Sequence, residues 1–224
     1  MLDPNRTVAR TVLDHSETAS VFHRHRIDYC CKGSRSINAA AEERGLDVAA
    51  LVSELEQVIA SRRSAAGPDV EAMSTASLIA YIVSTHHDYL RTALPFIQAL
   101  AAKVARVHGD HNPRLRDLDT AVASISAALE PHLDEEEQVL FPALMTRNRD
   151  VLKIRAELAA MHTDHLAVGA LLEQMRDATE DYRLPDWACT SYRALFSELE
   201  RLEEDVLRHV HLENHVLMPR FLGD

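Results

Sequence analysis

Glycine and proline are scarce in this sequence, at six and eight of 224 residues, and no segment alternates apolar and polar residues for more than a few positions. Strands and turn-rich architectures are thereby excluded, and the Ala, Leu, Glu and Arg that dominate instead point to an all-α protein. Nowhere do 18 apolar residues run together, so no membrane-spanning helix is expected. The opening Met-Leu-Asp-Pro-Asn-Arg has no basic region followed by an apolar stretch, and a soluble cytoplasmic protein is the expectation. Positive charge is also lacking. With 24 Lys and Arg against 35 Asp and Glu the net charge is −11, which argues against nucleic acid and anionic membranes as partners. Three cysteines, two of them adjacent, do not make a disulfide framework and suit a reducing compartment. No nucleotide-binding or electron-donor motif is present.

What the chain has in excess is histidine, 13 residues, and a short pattern written twice. His132-x3-Glu136-x3-Leu-Phe-Pro142 and His209-x3-Glu213-x3-Leu-Met-Pro219 both lie in helix-forming context. Residues four apart stand one above the other on a helix, so each copy presents an imidazole beside a carboxylate. Leu140 and Leu217 follow on the same face, which turns each pair toward a packed interior. Two such helices facing each other place two His and two Glu around one buried point, a mixed nitrogen and oxygen set that suits iron ahead of manganese or zinc.

Taken in order, residues 7–26 read as one helix with Val8, Val12, Ala19 and Phe22 on its apolar side. Ser36 can cap a short helix ending at Gly45, and Asp47 another from Val48 to about residue 62, with Val48, Leu51, Leu55, Val58 and Ile59 spaced for burial. Residues 1–62 thus form a small helical domain. Residues 63–75, polar and carrying Gly67-Pro68, read as a linker. Residues 76–224 hold four long helical segments, near 77–107, 114–141, 151–179 and 186–217, joined by short breaks. Short connections between long helices make antiparallel neighbours, hence an up-down-up-down four-helix bundle.

The second and fourth segments supply His132, Glu136, His209 and Glu213, so the first and third should each add a ligand at the same level. On the third, His165 sits among Leu158, Met161 and Leu172, and is preferred to His162. The first offers His86, His87 and His108. His87 and His108 are 21 positions apart (108 minus 87), about 31 Å along a helix, so both cannot reach one centre. His87, with Ile79, Val83, Leu90 and Leu94 as helical neighbours, is preferred to His108 at the segment's end. Four His and two Glu follow. If both Glu bridge, each of two irons has two imidazoles and two carboxylate oxygens, with room for an oxo or hydroxo bridge and an exogenous ligand.

These residues resemble the hemerythrin-like di-iron proteins that repair iron–sulfur clusters, the regulators of cell morphogenesis and NO signalling. The matching stretches are Leu94-Pro95, Lys103-Val-Ala-Arg-Val-His108, the two His-x3-Glu motifs, Met161-x3-His165-x3-Gly169, the run from Ala188 to Leu195, and amino-terminal Ile27-Asp-Tyr-Cys30-Cys31-x-Gly33. The resemblance implies a di-iron centre at His87, His132, Glu136, His165, His209 and Glu213. It also implies restoration of clusters damaged by nitric oxide or peroxide, with damaged iron–sulfur proteins as partners and nitric oxide or dioxygen as possible small ligands. Lys32 stands where the family usually has Gly, and His215 and Met218 where it has Asn and Phe.

Cys30-Cys31 can serve as a redox pair or hold and transfer a soft metal, and His23, Arg24, His25, Arg26 and Lys32 nearby would favour the thiolate. Cys189, beside Trp187 in a helical segment, reads as a small buried residue. Three functions are open: an iron donor for cluster repair, an oxidoreductase that reduces nitric oxide or dioxygen, and a sensor or carrier of such a gas. The thiol pair favours the first, because neither of the others needs it.

Overall fold

The computed structural model describes residues 2–61, 68–147 and 149–222. It is all-α among the described residues, apart from an isolated antiparallel bridge between Thr7 and Ser36. Residues 63–67 of the expected linker, and 223–224 at the end of the expected bundle, lie outside the described residues. Two compact units emerge: one holds the described parts of residues 1–74 and 207–223, the other residues 75–206.

In the first unit, Thr7 caps α1 (Val8–Asp14) by accepting the Arg10 N–H. The single helix expected over residues 7–26 is in fact broken. His15 leaves helical geometry, Ser16–Thr18 form a 3₁₀ turn, and α2 (Ala19–Arg24) follows. The Thr18 hydroxyl donates to the His15 carbonyl at 2.6 Å, the local competition with helical bonding that Ser and Thr offer. Ser36 and Asp47 cap α3 (Ile37–Glu43) and α4 (Val48–Ser61) as expected, accepting the N–H groups of Ala39 and Ala50 at 3.1 and 2.7 Å. Gly45 takes the left-handed φ of +66° that ends the first of these, a conformation glycine adopts without a Cβ clash. Val8, Val12, Phe22, Ile37, Leu51 and Leu55 make the core; Val48, Val58 and Ile59 are half-buried.

The second unit contains α5 (Thr75–Ile82), α6 (Asp88–His108), α7 (Arg114–Glu135), α8 (Phe141–Met145), α9 (Val151–Ala178) and most of α10 (Thr190–Leu212). Leu115, Leu118, Val122, Ile125, Leu129 and Leu133 form the buried stripe of α7, spaced by threes and fours as a core-facing helix requires. Neighbours run antiparallel. Arg91 near the start of α6 meets Asp134 at the end of α7, and Arg114 opening α7 meets Glu180 just beyond α9. The first turn of α10 meets the C-terminal part of α6 through Ser191 and Lys103, while Asp205 reaches back to His86. The α10 helix begins at Thr190 and not at Asp186. Pro185 and a left-handed run at Glu180, Asp181 and Tyr182 lengthen the connection, held by Arg176 to Asp181 and by the Tyr182 hydroxyl donating to Glu203. None of the helices is long and apolar enough to cross a membrane, among the described residues.

Three further turns among the described residues depart from α geometry. Val83–His87, Glu136–Leu140 and Glu213–Leu217 are π-helical, closed by N–H bonds from Asp88 to Val83, Phe141 to Glu136 and Met218 to Glu213. The last two end two residues before Pro142 and Pro219. Proline has no N–H and its ring presses on the carbonyl four residues back, which here is that of Gln138 or His215, inside the widened turn. The repeated Leu-x-Pro endings therefore create these bulges, a form that recurs at functional sites.

Candidate metal centre

Each π turn delivers an expected ligand: His87 closes the first, Glu136 opens the second and Glu213 the third. Within the second unit the interior brings together His87, His132, Glu136 and His165, which are 0, 7, 1 and 1% exposed. His87 Nε2 lies 3.5 Å from one oxygen of Glu136, and His132 Nε2 lies 3.3 Å from the other. His165 Nε2 is 3.2 Å from His132 Nε2. One donor atom from each of His132, Glu136 and His165 lies within 4.8 Å of the others. In the first unit, His209 and Glu213 are both fully buried, with Nε2 and Oε1 at 2.9 Å, so the second motif forms the i,i+4 pair that the spacing predicts.

The donor chemistry fits a metal. Two imidazole nitrogens 3.2 Å apart are at the spacing that two bonds of about 2.1 Å to one ion span at roughly a right angle. A buried carboxylate costs several kcal/mol unless a cation compensates it. His87 and His132 present imidazole nitrogens to the two oxygens of Glu136, and imidazole with carboxylate is a donor set that suits iron.

A further residue orients this set, one the sequence reading passed over. Glu137 accepts the His87 Nδ1–H at 2.9 Å and also holds Arg91 at 3.0 Å. The bond fixes the His87 tautomer and aims the Nε2 lone pair inward. Burial pushes the Glu137 carboxyl up, but hydrogen bonds from His87 and Arg91 outweigh it and hold the group below the usual carboxylate range. Asp164 stands behind His132 in the same way, at a looser 3.7 Å from Nδ1. Glu137 sits in a run of three glutamates that reads as a solvated face, and only its position opposite α6 gives it a role. Glu137→Ala is expected to weaken iron binding by about tenfold or more, measured by competition with a chromophoric chelator; unchanged affinity would dismiss the orienting role.

The other candidates lie elsewhere. His86 is buried against Asp205 at 2.9 Å, and His162 is half-buried one turn before His165. At the far end of α6, His108 Nε2 approaches Cys189 Sγ at 3.2 Å and its ring meets Trp187 and Tyr192. Cys189 itself is exposed and precedes α10, contrary to the expected buried helical position. We expect His87→Ala to lose bound iron and its absorption while His108→Ala keeps both. Loss with His108→Ala alone would overturn the assignment.

A cleft between α7 and α9 of about 350 Å³ opens onto His132 and Glu136, with Glu135, Glu157 and Asp164 along it. Its carboxylates suit the passage of a cation.

In the first unit, Cys30 is buried and Cys31 half-buried, with sulfurs 3.5 Å apart. The cations expected to favour the thiolate are drawn off in part, since Arg24 and His25 pair with Glu54. The neighbour is Asp28 instead. The hydrogen bond with Cys31, burial and the Asp28 charge all push the Cys30 thiol well up. Lys32 is exposed at negative φ, so the departure from the family's Gly costs the loop nothing.

Residues 78–221 match the sequence model of the Hemerythrin HHE cation binding domain, and residues 4–59 that of the Domain of Unknown function DUF542. The chain is 32% identical over 223 residues to the iron-sulfur cluster repair protein ScdA of Staphylococcus haemolyticus, covering 99% of this chain and all of that one. To the iron-sulfur cluster repair protein YtfE of Yersinia pseudotuberculosis it is 31% identical over 218 residues, 97% of each chain. A hemerythrin-type domain is one for non-haem iron, and the buried His and Glu suit that ion. Motif, fold and relatives agree, and the chain belongs to the hemerythrin HHE cation-binding family, with a DUF542 domain ahead of it.

Proposed function

We propose that this protein repairs iron–sulfur clusters damaged by nitrosative or oxidative stress, and that it does so by supplying iron. The observation that carries the reading is similarity to cluster repair proteins over 97–99% of the chain, which takes in both modules. His87, His132, His165, His209, Glu136 and Glu213 would hold two iron ions, with each carboxylate serving both. The three cysteines, all free thiols, suit work in a reducing cytoplasm.

When bound, the iron supplies a redox-active centre and is also the cargo. The residues hold it in a form that can be given up. Glu137 accepts the His87 Nδ1–H, which leaves Nε2 as the nitrogen that would face the metal. His132 Nε2 and His165 Nε2, 3.2 Å apart, would both hold one ion, each as the unprotonated nitrogen of a neutral imidazole. The cleft beside His132 and Glu136, lined by Glu135, Glu157 and Asp164, would give the ion an acidic way out.

The test is recovery of an iron–sulfur enzyme after nitric oxide damage, with iron-loaded protein, iron-stripped protein or Glu136→Ala added at equal concentration. Recovery is expected with the loaded protein alone, in proportion to the iron it carries. Equal recovery in all three arms would sink iron supply, and consumption of nitric oxide over many turnovers would replace it with the oxidoreductase reading.

A further inference from the structure

We propose that Asp28, Cys30 and Cys31 form a second metal site, a transit site for a thiophilic divalent cation. That the cation is ferrous iron rests on the repair reading above; the site itself does not. One donor atom from each of the three residues lies within 4.8 Å of the others. The sulfurs are 3.5 Å apart and Asp28 Oδ1 is 3.1 Å from Cys30 Sγ. Two bonds of about 2.3 Å to a tetrahedral ion set sulfurs roughly 3.8 Å apart, so the pair needs to open by only a few tenths of an ångström. A disulfide instead needs about 2.05 Å and a strained ring between chain neighbours.

The loop is held in this arrangement from both sides. Asp28 Oδ1 accepts the backbone N–H of Cys30 at 3.0 Å and of Cys31 at 2.8 Å. Asn214 Nδ2 and His215 Nε2 donate to the Cys30 carbonyl at 3.1 and 2.7 Å, and His211 Nδ1 donates to that of Tyr29 at 3.1 Å. The π turn Glu213–Leu217 thus carries a ligand assigned to the iron centre and, in the next two residues, the groups that position the thiols. Three ligands and an open fourth position describe a site that exchanges its ion, where four would make it structural. Cys30 is buried while Cys31 reaches solvent, which gives the ion an inner and an outer thiolate. Binding releases two protons and transfers no electrons: two thiols and one M²⁺ give one M(SR)₂ unit and two H⁺.

The experiment titrates the full-length, iron-loaded protein with Cd(II) without oxygen, following cadmium–thiolate charge-transfer absorption and measuring iron in the same samples. One tightly bound cadmium per chain is expected, with the iron unchanged. Cys31→Ser should abolish the band, as should Cys30→Ser; should the latter fail to fold by circular dichroism, the half-exposed Cys31 decides. In Asp28→Asn the amide oxygen can still accept both backbone N–H groups, so the turn persists while cadmium affinity drops about tenfold. His215→Ala should weaken binding severalfold with the iron retained, and Cys189→Ser should change nothing. A band that survives Cys30→Ser/Cys31→Ser, or cadmium uptake only in exchange for iron, would overturn the site. Failure of the di-iron reading looks different: low iron content with the cadmium band intact.

Discussion

On the proposed two-iron centre, replacing Glu136 or Glu213 with Ala is expected to strip both irons from the protein together, lowering bound iron tenfold or more. A carboxylate shared between two ions belongs to both coordination spheres, so neither sphere survives its removal. Glu136 has one oxygen 3.5 Å from His87 Nε2 and the other 3.3 Å from His132 Nε2, at 1% exposure, where no water can stand in for it cheaply. Stability separates a ligand from a packing residue. Iron bound only by the folded state stabilises it by mass action, so the melting temperature of iron-loaded protein should fall in the variant. Stripped wild type pays for a buried carboxylate without its cation, so the stripped variant should melt no lower than stripped wild type. Iron quantification and paired melting curves check both halves. A stable centre with one iron per chain would count against a shared carboxylate.

Gly33→Ala is expected to destabilise the first unit by about 1–3 kcal/mol, the usual cost of overpacking a tight site, and to loosen the thiol loop. A Cβ on Gly33 would lie 2.2 Å from the Tyr29 carbonyl oxygen, 2.8 Å from Ala9 Cβ and 2.8 Å from His215 Nε2. None of these can step aside freely. The Gly33 carbonyl accepts the Ala9 N–H at 2.8 Å, Ala9 is buried in α1, and His215 is engaged with the Cys30 carbonyl. The strain therefore passes to the segment carrying Cys30 and Cys31. Urea unfolding would give the first quantity, and the rate of Cys30 alkylation, slow in wild type and faster in the variant, the second. Wild-type values for both would show that the close approach is not a constraint.

Much of the fold and half of the site's logic are local, and the sequence carries them. Ser36 and Asp47 announce their helices because capping depends on residues within three positions. The two His-x3-Glu pairs are legible because helical geometry alone puts residues four apart on one face. That His87 and His108 cannot share one centre needs only the rise of a helix, and the preference for His87 only its apolar helical neighbours. Resemblance to known cluster repair proteins supplied what spacing alone does not, the partnership of a bundle with a dicysteine module.

Tertiary structure decided what depends on neighbours distant in the chain. Glu137, 50 residues from His87, reads as one more surface glutamate until α6 lies against α7. Cys189 looks like packing material until the connection after α9 leaves it exposed beside His108. The break at His15 follows from a hydroxyl of Thr18 competing for its carbonyl, which helix periodicity ignores. The roles of His211, Asn214 and His215 come from contacts with a loop more than 180 residues earlier, and the need for glycine at position 33 from the close approach of Tyr29, Ala9 and His215. Sequence spacing fixes which side chains share a face of one helix, because that geometry is set by the backbone; which loop or helix that face meets is set by long-range packing, and only the folded chain contains it.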